Sequence, residues 1–302
     1  MNPTLGQLAA IATAFFWSAT AIFFSYSGRR IGSQVVNRSR LLFAVLFVSL
    51  SHLALRGTLV PLDAEPFRWG WLGLSSVIGL VVGDTFLFYA YVSIGPRLAM
   101  LVMSLVPIIN TAAGWVLFGE LVSGWELGGI LLAVTGIAWV VTEPCDSTLA
   151  SDRRQLGRGL LAALGGALGQ ALNLIAARYG LVGGFPTVSA TLIRLLIAAA
   201  VLWGLAVVRG SAAPTLRAWR DRRAFVTLVA GAIAGPFLGI WLSLVAIQNA
   251  RLGIASTLMA LPPVILIPVE FIVFRRRVSS RGVIGTLLAF GGVALIFLNP
   301  GA

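Results

Sequence analysis

Long apolar stretches separated by short polar segments make up most of the chain. Six of these stretches contain no charged residue: 5–26, 98–118, 159–177, 224–250, 252–269 and 282–302. A helix needs about 20 residues to cross the ~30 Å hydrocarbon core of a bilayer. The alternating pattern of a membrane β-barrel is missing. Because lipid cannot satisfy free backbone groups, the pattern predicts an all-α polytopic membrane protein.

The full apolar pattern predicts ten transmembrane helices joined by short loops. Their predicted ranges are 5–26, 35–55, 69–92, 97–118, 124–142, 158–178, 186–208, 223–247, 251–274 and 281–299. The longest loops are 56–68, 143–157 and 209–222. The middle loop divides the chain into two predicted units of five helices each, residues 1–145 and residues 146–302.

Composition agrees with membrane insertion and excludes several kinds of site. Of the 302 residues, 58% are hydrophobic and 11% are charged, whereas about 25% of residues are charged in soluble domains. The single cysteine, Cys145, excludes an internal disulfide, and the single histidine, His52, excludes the usual two-histidine zinc site. Lysine is absent, which excludes a P-loop and a Schiff-base site. We therefore expect neither a cofactor nor a bound metal.

All 22 basic residues are arginines, and they are divided unevenly between the two sets of loops. Sixteen follow the odd-numbered predicted helices: Arg29, Arg30, Arg38, Arg97, Arg153, Arg154, Arg158, Arg209, Arg217, Arg220, Arg222, Arg223, Arg275, Arg276, Arg277 and Arg281. Four lie on the opposite side: Arg56, Arg68, Arg178 and Arg251. The positive-inside rule predicts cytoplasmic odd-numbered loops and outside termini, in a plasma (inner) membrane. Because the arginines lie in interhelical loops, the net charge of +12 does not indicate nucleic-acid binding.

The two predicted units share a pattern of residues at nearly constant spacing. The matched pairs are Arg40 with Arg194, Gly83 with Gly235, Arg97 with Arg251, Pro107 with Pro263, Gly129 with Gly285, and Gly136 with Gly292. Five is an odd number, so a second copy would enter the membrane from the other side. The pattern therefore predicts two inverted five-helix repeats. Such an arrangement allows a central site to open alternately to each face.

Polar residues inside the apolar segments are the candidate site residues, because a charge at the centre of a membrane helix costs about 2.5–3.5 kcal/mol. Asp84 could bind a proton, a cation or a substrate amine, or it could pair with an arginine for packing. Arg40 and Arg194 could hold a substrate carboxylate, or they could snorkel to the headgroups or cap a helix. Three amides could orient a substrate or bridge helices: Asn110, Gln170 and Asn173.

Aromatic residues and prolines supply further candidates. Trp17, Ser18, Tyr89 and Trp241 could form one wall of a binding site, although aromatic side chains also pack against lipid. A proline inside a helix removes one backbone donor and kinks the helix. Hinges are therefore predicted at Pro107 in the first unit and at Pro262 and Pro263 in the second.

Several of these segments together resemble the EamA-type branch of the drug/metabolite transporter superfamily. They are Phe16-Trp17-Ser18, the arginine early in helix 2, the proline of helix 4, the following Phe118-Gly119-Glu120 and a glycine-rich helix 5. The resemblance implies export of amino acids or other metabolites, often with ion or exchange coupling. The second unit departs from the pattern, since Arg276 stands where Glu120 would recur. Many such proteins keep their termini in the cytoplasm, which the arginine distribution contradicts here.

Three functions remain open at this point. A secondary transporter with a small-molecule substrate, coupled to a proton or another ion, agrees best with the duplication. An intramembrane enzyme is disfavoured because the membrane segments hold no metal cluster and no Ser–His or Ser–Lys dyad. A channel or assembly subunit is disfavoured because neither needs an inverted repeat.

Overall fold

Every regular element that the computed structural model describes is helical. It describes residues 2–94, 99, 102–103, 105–141, 153–262, 264–265 and 280–297. The helices are α1 Pro3–Ile31, α2 Ser33–Arg56, α3 at 66–93, α4 Leu105–Phe118, α5 Gly124–Val141, α6 Arg153–Gly180, α7 Thr187–Val208, α8 Arg222–Asn249, α9 Leu252–Met259 and α10 Ser280–Phe297. A short connecting helix, Ala212–Ala218, lies between α7 and α8, within a segment predicted as a loop.

Six helices are long and apolar enough to cross a membrane: α1, α2, α3, α6, α7 and α8. Over the described residues α4, α5 and α10 are shorter apolar helices. The ninth predicted helix, 251–274, is not continuous, because α9 ends at Met259 and Leu261 is not helical. Pro262 follows at once, and a proline disfavours helical backbone in the residue before it. Pro263 and residues 266–279 lie outside the described part.

Helix ends coincide with residues that can satisfy free backbone groups. The Asn2 side chain accepts a hydrogen bond from the Leu5 N–H at the start of α1, and Asp221 accepts one from Ala224 at the start of α8. Gly57, with φ 76°, ends α2 in the left-handed conformation that glycine adopts without strain. These caps let the chain turn sharply between helices.

Helices α2 and α7, which carry the matched residues Arg40 and Arg194, run antiparallel. Between α2 and α7, Trp203 Nε1 donates to the Arg38 carbonyl at 3.0 Å, while His52 Nε2 lies 2.9 Å from Ser189 Oγ. The start of α2 therefore lies beside the end of α7, and the end of α2 beside its start. Helices α5 and α10 also cross antiparallel, because Gly136 of α5 lies against Ala289 of α10 and Gly292 of α10 lies against Ala133 of α5.

Helices α3 and α8 each contain a π-helical segment, at Val77–Gly83 and Ile233–Gly239. The wider turn lets the N–H of Asp84 donate to the Gly79 carbonyl, five residues back. The second segment begins and ends the same number of residues after the first, so Gly83 corresponds to Gly239 by position in the segment. The sequence comparison matched Gly83 with Gly235, one helical turn earlier on the same face. Single-turn π segments occur frequently at functional sites.

Candidate functional site

Five polar side chains, of which Gln170 is partly buried and the other four are buried, form a continuous hydrogen-bonded group, here called the polar cluster: Arg40, Asp84, Gln170, Asn173 and Arg194. Arg40 Nη2 forms an ion pair with Asp84 Oδ2, and Gln170 Nε2 donates to Asp84 Oδ1 at 3.3 Å. Asn173 Nδ2 donates to Gln170 Oε1 at 2.9 Å, and Arg194 Nη2 donates to Asn173 Oδ1. The cluster thus links the two arginines that the sequence comparison matched.

The polar cluster is assembled from both halves of the chain. Arg40 lies on α2 and Asp84 lies on α3, directly after its π segment. Gln170 and Asn173 lie on α6, and Arg194 lies on α7. The two amides are three residues apart, so they share one face of α6. Because α2 and α7 are antiparallel, the arginines approach the other members from opposite ends of the bundle.

Arg40 is well paired in the described structure. Its Nε donates to Asn37 Oδ1 at 3.0 Å, in addition to the Asp84 contact. Its guanidinium carbon lies 5.0 Å from the centre of the Phe88 ring and 5.8 Å from that of Phe24, which allows cation–π attraction. Arg40 is only 5% exposed. It lies inside the bundle, so the snorkelling alternative is wrong for this residue.

Arg194 is also buried inside the bundle, at 1% exposure, but its guanidinium is poorly paired. Among the described residues, its Nε and Nη1 have no hydrogen-bond partner. Its Nη2 contacts Asn173 Oδ1, which also accepts from Ser75 Oγ at 2.8 Å. The Asp84 carboxylate attracts Arg194 electrostatically. Snorkelling is therefore wrong for Arg194 as well.

Four further candidates are not hydrogen-bonded to the polar cluster in the described structure: Trp17, Ser18, Tyr89 and Trp241. Ser18 Oγ donates to the Ala14 carbonyl of its own helix at 2.7 Å. The Trp17 ring lies so close to Gly239 that a Cβ there would be 2.7 Å from it. Trp241 Nε1 donates to Thr187 Oγ1 at 3.1 Å, and Tyr89 is 47% exposed. Trp17 thus contacts α8, the helix that carries Trp241, and the aromatic surface at the site stays a prediction.

The remaining candidates lie on α4 and just after α9. Asn110 is fully buried, and neither of its side-chain amide atoms has a partner among the described residues. Pro107 is buried in the first turns of the described part of α4, where its carbonyl accepts from Thr111 Oγ1 at 2.8 Å. Pro262 is buried beside the end of α9. Pro263 lies outside the described residues, so the paired hinges stay a prediction.

Sequence reasoning missed three residues that support the polar cluster. They are Ser75, Asn37 and Thr85. Ser75 contacts Asn173, and Asn37 contacts Arg40. Asn37 Nδ2 also donates to Thr85 Oγ1 at 3.4 Å. Asn37 stands three residues before Arg40, so helical spacing could have identified it. Ser75 carries no such signal, because serine is common in membrane helices.

A second polar network, here called the clasp, joins helix ends of both halves through Glu120, Glu126, Arg178 and Arg251. Arg178 Nη2 lies 3.1 Å from Glu120 Oε1, and the N–H of Leu252 donates to Glu120 Oε2 at 2.7 Å. Arg251 Nη1 pairs with Glu126 Oε2. The clasp therefore holds the α4–α5 loop against the end of α6 and the start of α9.

At the helix ends away from the clasp, Arg30 and Asp221 form an exposed ion pair. Arg30 Nε lies 2.7 Å from Asp221 Oδ2, with the two side chains 42% and 26% exposed. The hydrogen bond from Arg30 and the backbone hydrogen bond from Ala224 lower the pKa of Asp221. Beside this pair, Arg38 Nη1 donates to Ser211 Oγ at 2.7 Å and Trp219 Nε1 donates to Ser39 Oγ at 2.9 Å.

Acidic, histidine and cysteine side chains form no group suited to a metal within the described ranges. Asp84 is the acidic member of the polar cluster, and it is paired with Arg40. What the cluster offers chemically is hydrogen-bond donors and positive charge in a water-poor interior.

Comparison with known proteins gives a family and a fold. The pattern of the EamA-like transporter family matches the sequence twice, at residues 4–142 and 157–298. A solved structure, described only as the crystal structure of a protein, superposes with a TM-score of 0.79 at 19% identity and covers 98% of each chain. At this identity the similarity shows the fold alone. No curated protein matches the sequence.

Proposed function

The chain belongs to the EamA-like transporter family, and on this basis we propose that it is a secondary transporter that exports small metabolites, such as amino acids or related organic solutes. It is an integral membrane protein, and its substrate is a small molecule. The transport cycle alternates access to a site between the two halves, and the polar cluster is that site.

The observation that carries this proposal is the shared origin of the polar cluster. Arg40 and Asp84 come from the first half, whereas Gln170, Asn173 and Arg194 come from the second. Two hydrogen bonds join the halves at the cluster, from Gln170 to Asp84 and from Ser75 to Asn173. Movement of one half against the other must change these two contacts. A static membrane subunit would gain nothing from such a costly buried network.

The architecture proposed for this cycle is ten transmembrane helices in two inverted repeats, residues 1–145 and 146–302. The two matches of the family pattern and the antiparallel run of α2 against α7 support it. Inverted repeats allow the two halves to exchange conformations, so that one closed face becomes the open face. The hinges are assigned to Pro107 and to the break before Pro262 and Pro263.

The proposed orientation places the clasp on the outside of a plasma (inner) membrane and the odd-numbered loops in the cytoplasm. Four arginines lie on the clasp side of the predicted topology, together with the four carboxylates Asp63, Glu65, Glu120 and Glu126. The positive-inside rule counts basic residues and not net charge, so the orientation rests on sixteen arginines in the odd-numbered loops against four on the clasp side. In this orientation the structure has its outer face held by the clasp.

Coupling to a proton or another cation is assigned to Asp84. Its carboxylate neutralises Arg40, so binding of a proton there would release Arg40 and alter the cluster. Reconstituted protein should accumulate substrate in response to a pH gradient, and Asp84→Asn should abolish the response to the gradient. Gradient-driven transport that survives in Asp84→Asn would remove the coupling assignment while leaving the transport function.

Solute counterflow in proteoliposomes tests the proposed function itself. A carrier exchanges labelled solute outside for unlabelled solute inside, so preloading should accelerate uptake and uptake should saturate. Uptake that is indifferent to preloading would indicate a channel. Chemical conversion of the solute without net movement would indicate an intramembrane enzyme.

A further inference from the structure

The two matched arginines of the polar cluster, Arg40 and Arg194, have different interaction partners. Arg40 has a carboxylate, an amide and two aromatic rings around it. Arg194 has one hydrogen bond, to Asn173, among the described residues. Equivalent positions in a duplicated chain have thus acquired unequal surroundings.

The polar cluster also carries an unbalanced charge. It holds two guanidinium groups and one carboxylate, and arginine stays protonated in proteins. A buried cation without a paired anion is unfavourable in a medium of low polarity. A bound anion beside Arg194 would remove the imbalance.

The shape of the guanidinium decides where that anion binds. Nη2 has two hydrogens, one on the edge shared with Nε and one on the edge shared with Nη1. Asn173 Oδ1 takes one of them, and Nε and Nη1 are both free in the described structure. One complete edge of the fork is therefore left for a carboxylate, which matches it with two parallel hydrogen bonds.

We propose that Arg194 binds the carboxylate of the transported solute, and that the substrates are small organic acids or amino acids with a free carboxylate. Asn173, held by Ser75 and Gln170, positions the guanidinium, whereas Arg40 is committed to Asp84. This inference rests on the proposed transport function and adds the substrate class.

The test compares each of a panel of amino acids and 2-hydroxy acids with its own primary amide, which keeps the shape and removes the negative charge. Thermal unfolding of the purified protein and counterflow in proteoliposomes are measured for wild type, Arg194→Met and Arg40→Met. We expect wild type to be stabilised by carboxylates and not by amides. In Arg194→Met the apparent affinity for carboxylates should fall by at least about tenfold, because a charged hydrogen-bonding partner is lost.

The ligand-free proteins supply a readout that a structural role would not give. Arg194→Met should unfold at the same or a higher temperature than wild type, because an unpaired buried cation is removed. Arg40→Met should unfold at a lower temperature, because Asp84 is left without its partner. A marked loss of ligand-free stability in Arg194→Met would overturn the inference.

Two further outcomes separate this inference from the function it rests on. Counterflow of amides at the same rate as carboxylates, or unchanged carboxylate counterflow in Arg194→Met, would overturn the anion site and leave a transporter. Absence of counterflow for every solute in the panel would overturn both.

Discussion

Pairing of single charges determines what each residue of the polar cluster can do. Asp84 was predicted either as a site for a proton, cation or amine, or as a carboxylate paired with an arginine. The structure shows it paired with Arg40 and accepting a hydrogen bond from Gln170. Both side chains of the pair are 7% exposed, so little water screens them. A pair of this kind is strongly destabilised when one partner is removed.

Asp84→Asn should therefore destabilise the protein by about 3–5 kcal/mol, because Arg40 would remain buried without a carboxylate. Replacing both partners, as Arg40→Met with Asp84→Leu, should recover most of that stability because no charge of the pair remains. Thermal unfolding in detergent measures both. A double variant as unstable as the sum of its two single variants would show that the pair is not coupled.

Asp221, at the start of α8, makes the stability of the protein depend on pH. Its pKa is lowered from 3.8 in the folded protein by Arg30 and the Ala224 N–H. A carboxylate with a lowered folded pKa adds stability above its unfolded pKa and loses it as the pH falls through the folded pKa. Asp221→Asn keeps the helix cap but removes the charge. Wild type should therefore lose its small stability advantage over Asp221→Asn below pH ~4, and an advantage that grew with acid would contradict this assignment.

The sequence was sufficient to identify the members of the polar cluster, but it predicted less of the geometry around them. Charged and amide side chains in apolar segments must face a polar interior, which singled out Arg40, Asp84, Gln170, Asn173 and Arg194. Nothing in one sequence distinguishes an interior aromatic residue from a lipid-facing one. Tyr89 was included for this reason, and it is exposed.

At the scale of helices, glycines set how closely the two halves approach. A Cβ on Gly136 of α5 would lie 2.4 Å from the backbone nitrogen of Ala289 on α10. The mirror contact exists as well, because a Cβ on Gly292 would lie 2.4 Å from the backbone nitrogen of Ala133. The two contacts are related by the exchange of the repeats, and both involve backbone that cannot rotate away.

Gly136→Ala and Gly292→Ala should each destabilise the protein by about 1–3 kcal/mol, because the added methyl group forces the backbones of α5 and α10 apart. Gly128→Ala is the matched control, since a Cβ at Gly128 meets nothing within 4 Å. Chemical or thermal unfolding compares the three. Equal stability of Gly136→Ala and Gly128→Ala would show that α5 and α10 do not pack in this way.

The sequence predicted the positions of the helices better than their departures from regular α-helical geometry. Apolar length located the spans, and the residues before Pro262 end α9 as a proline requires. The π segments had no comparable signal. Pro236 lies in one of them, but Val77–Gly83 has no proline. In that segment Gly79 and Gly83 pack closely against α6.

The whole molecule is asymmetric about its internal repeat. The clasp pairs Glu120 with Arg178 in a contact only 9% and 15% exposed. In the second half the residues that match Glu120 and Glu126 are Arg276 and Gly282, neither of which is a carboxylate. The same clasp therefore cannot form at the other face, which favours the conformation with the clasp side closed.

Accessibility of the polar cluster from each face tests the central claim of alternating access most directly. Ser75→Cys in a Cys145→Ser background places the only thiol beside Asn173. In this variant, with the clasp unchanged, a membrane-impermeant thiol reagent should reach the introduced thiol from the odd-loop face. Glu120→Gln should raise labelling from the clasp face, whereas Glu65→Gln, which alters a pair whose carboxylate side chain is 66% exposed, should not. Labelling confined to one face in every variant would contradict the alternating mechanism.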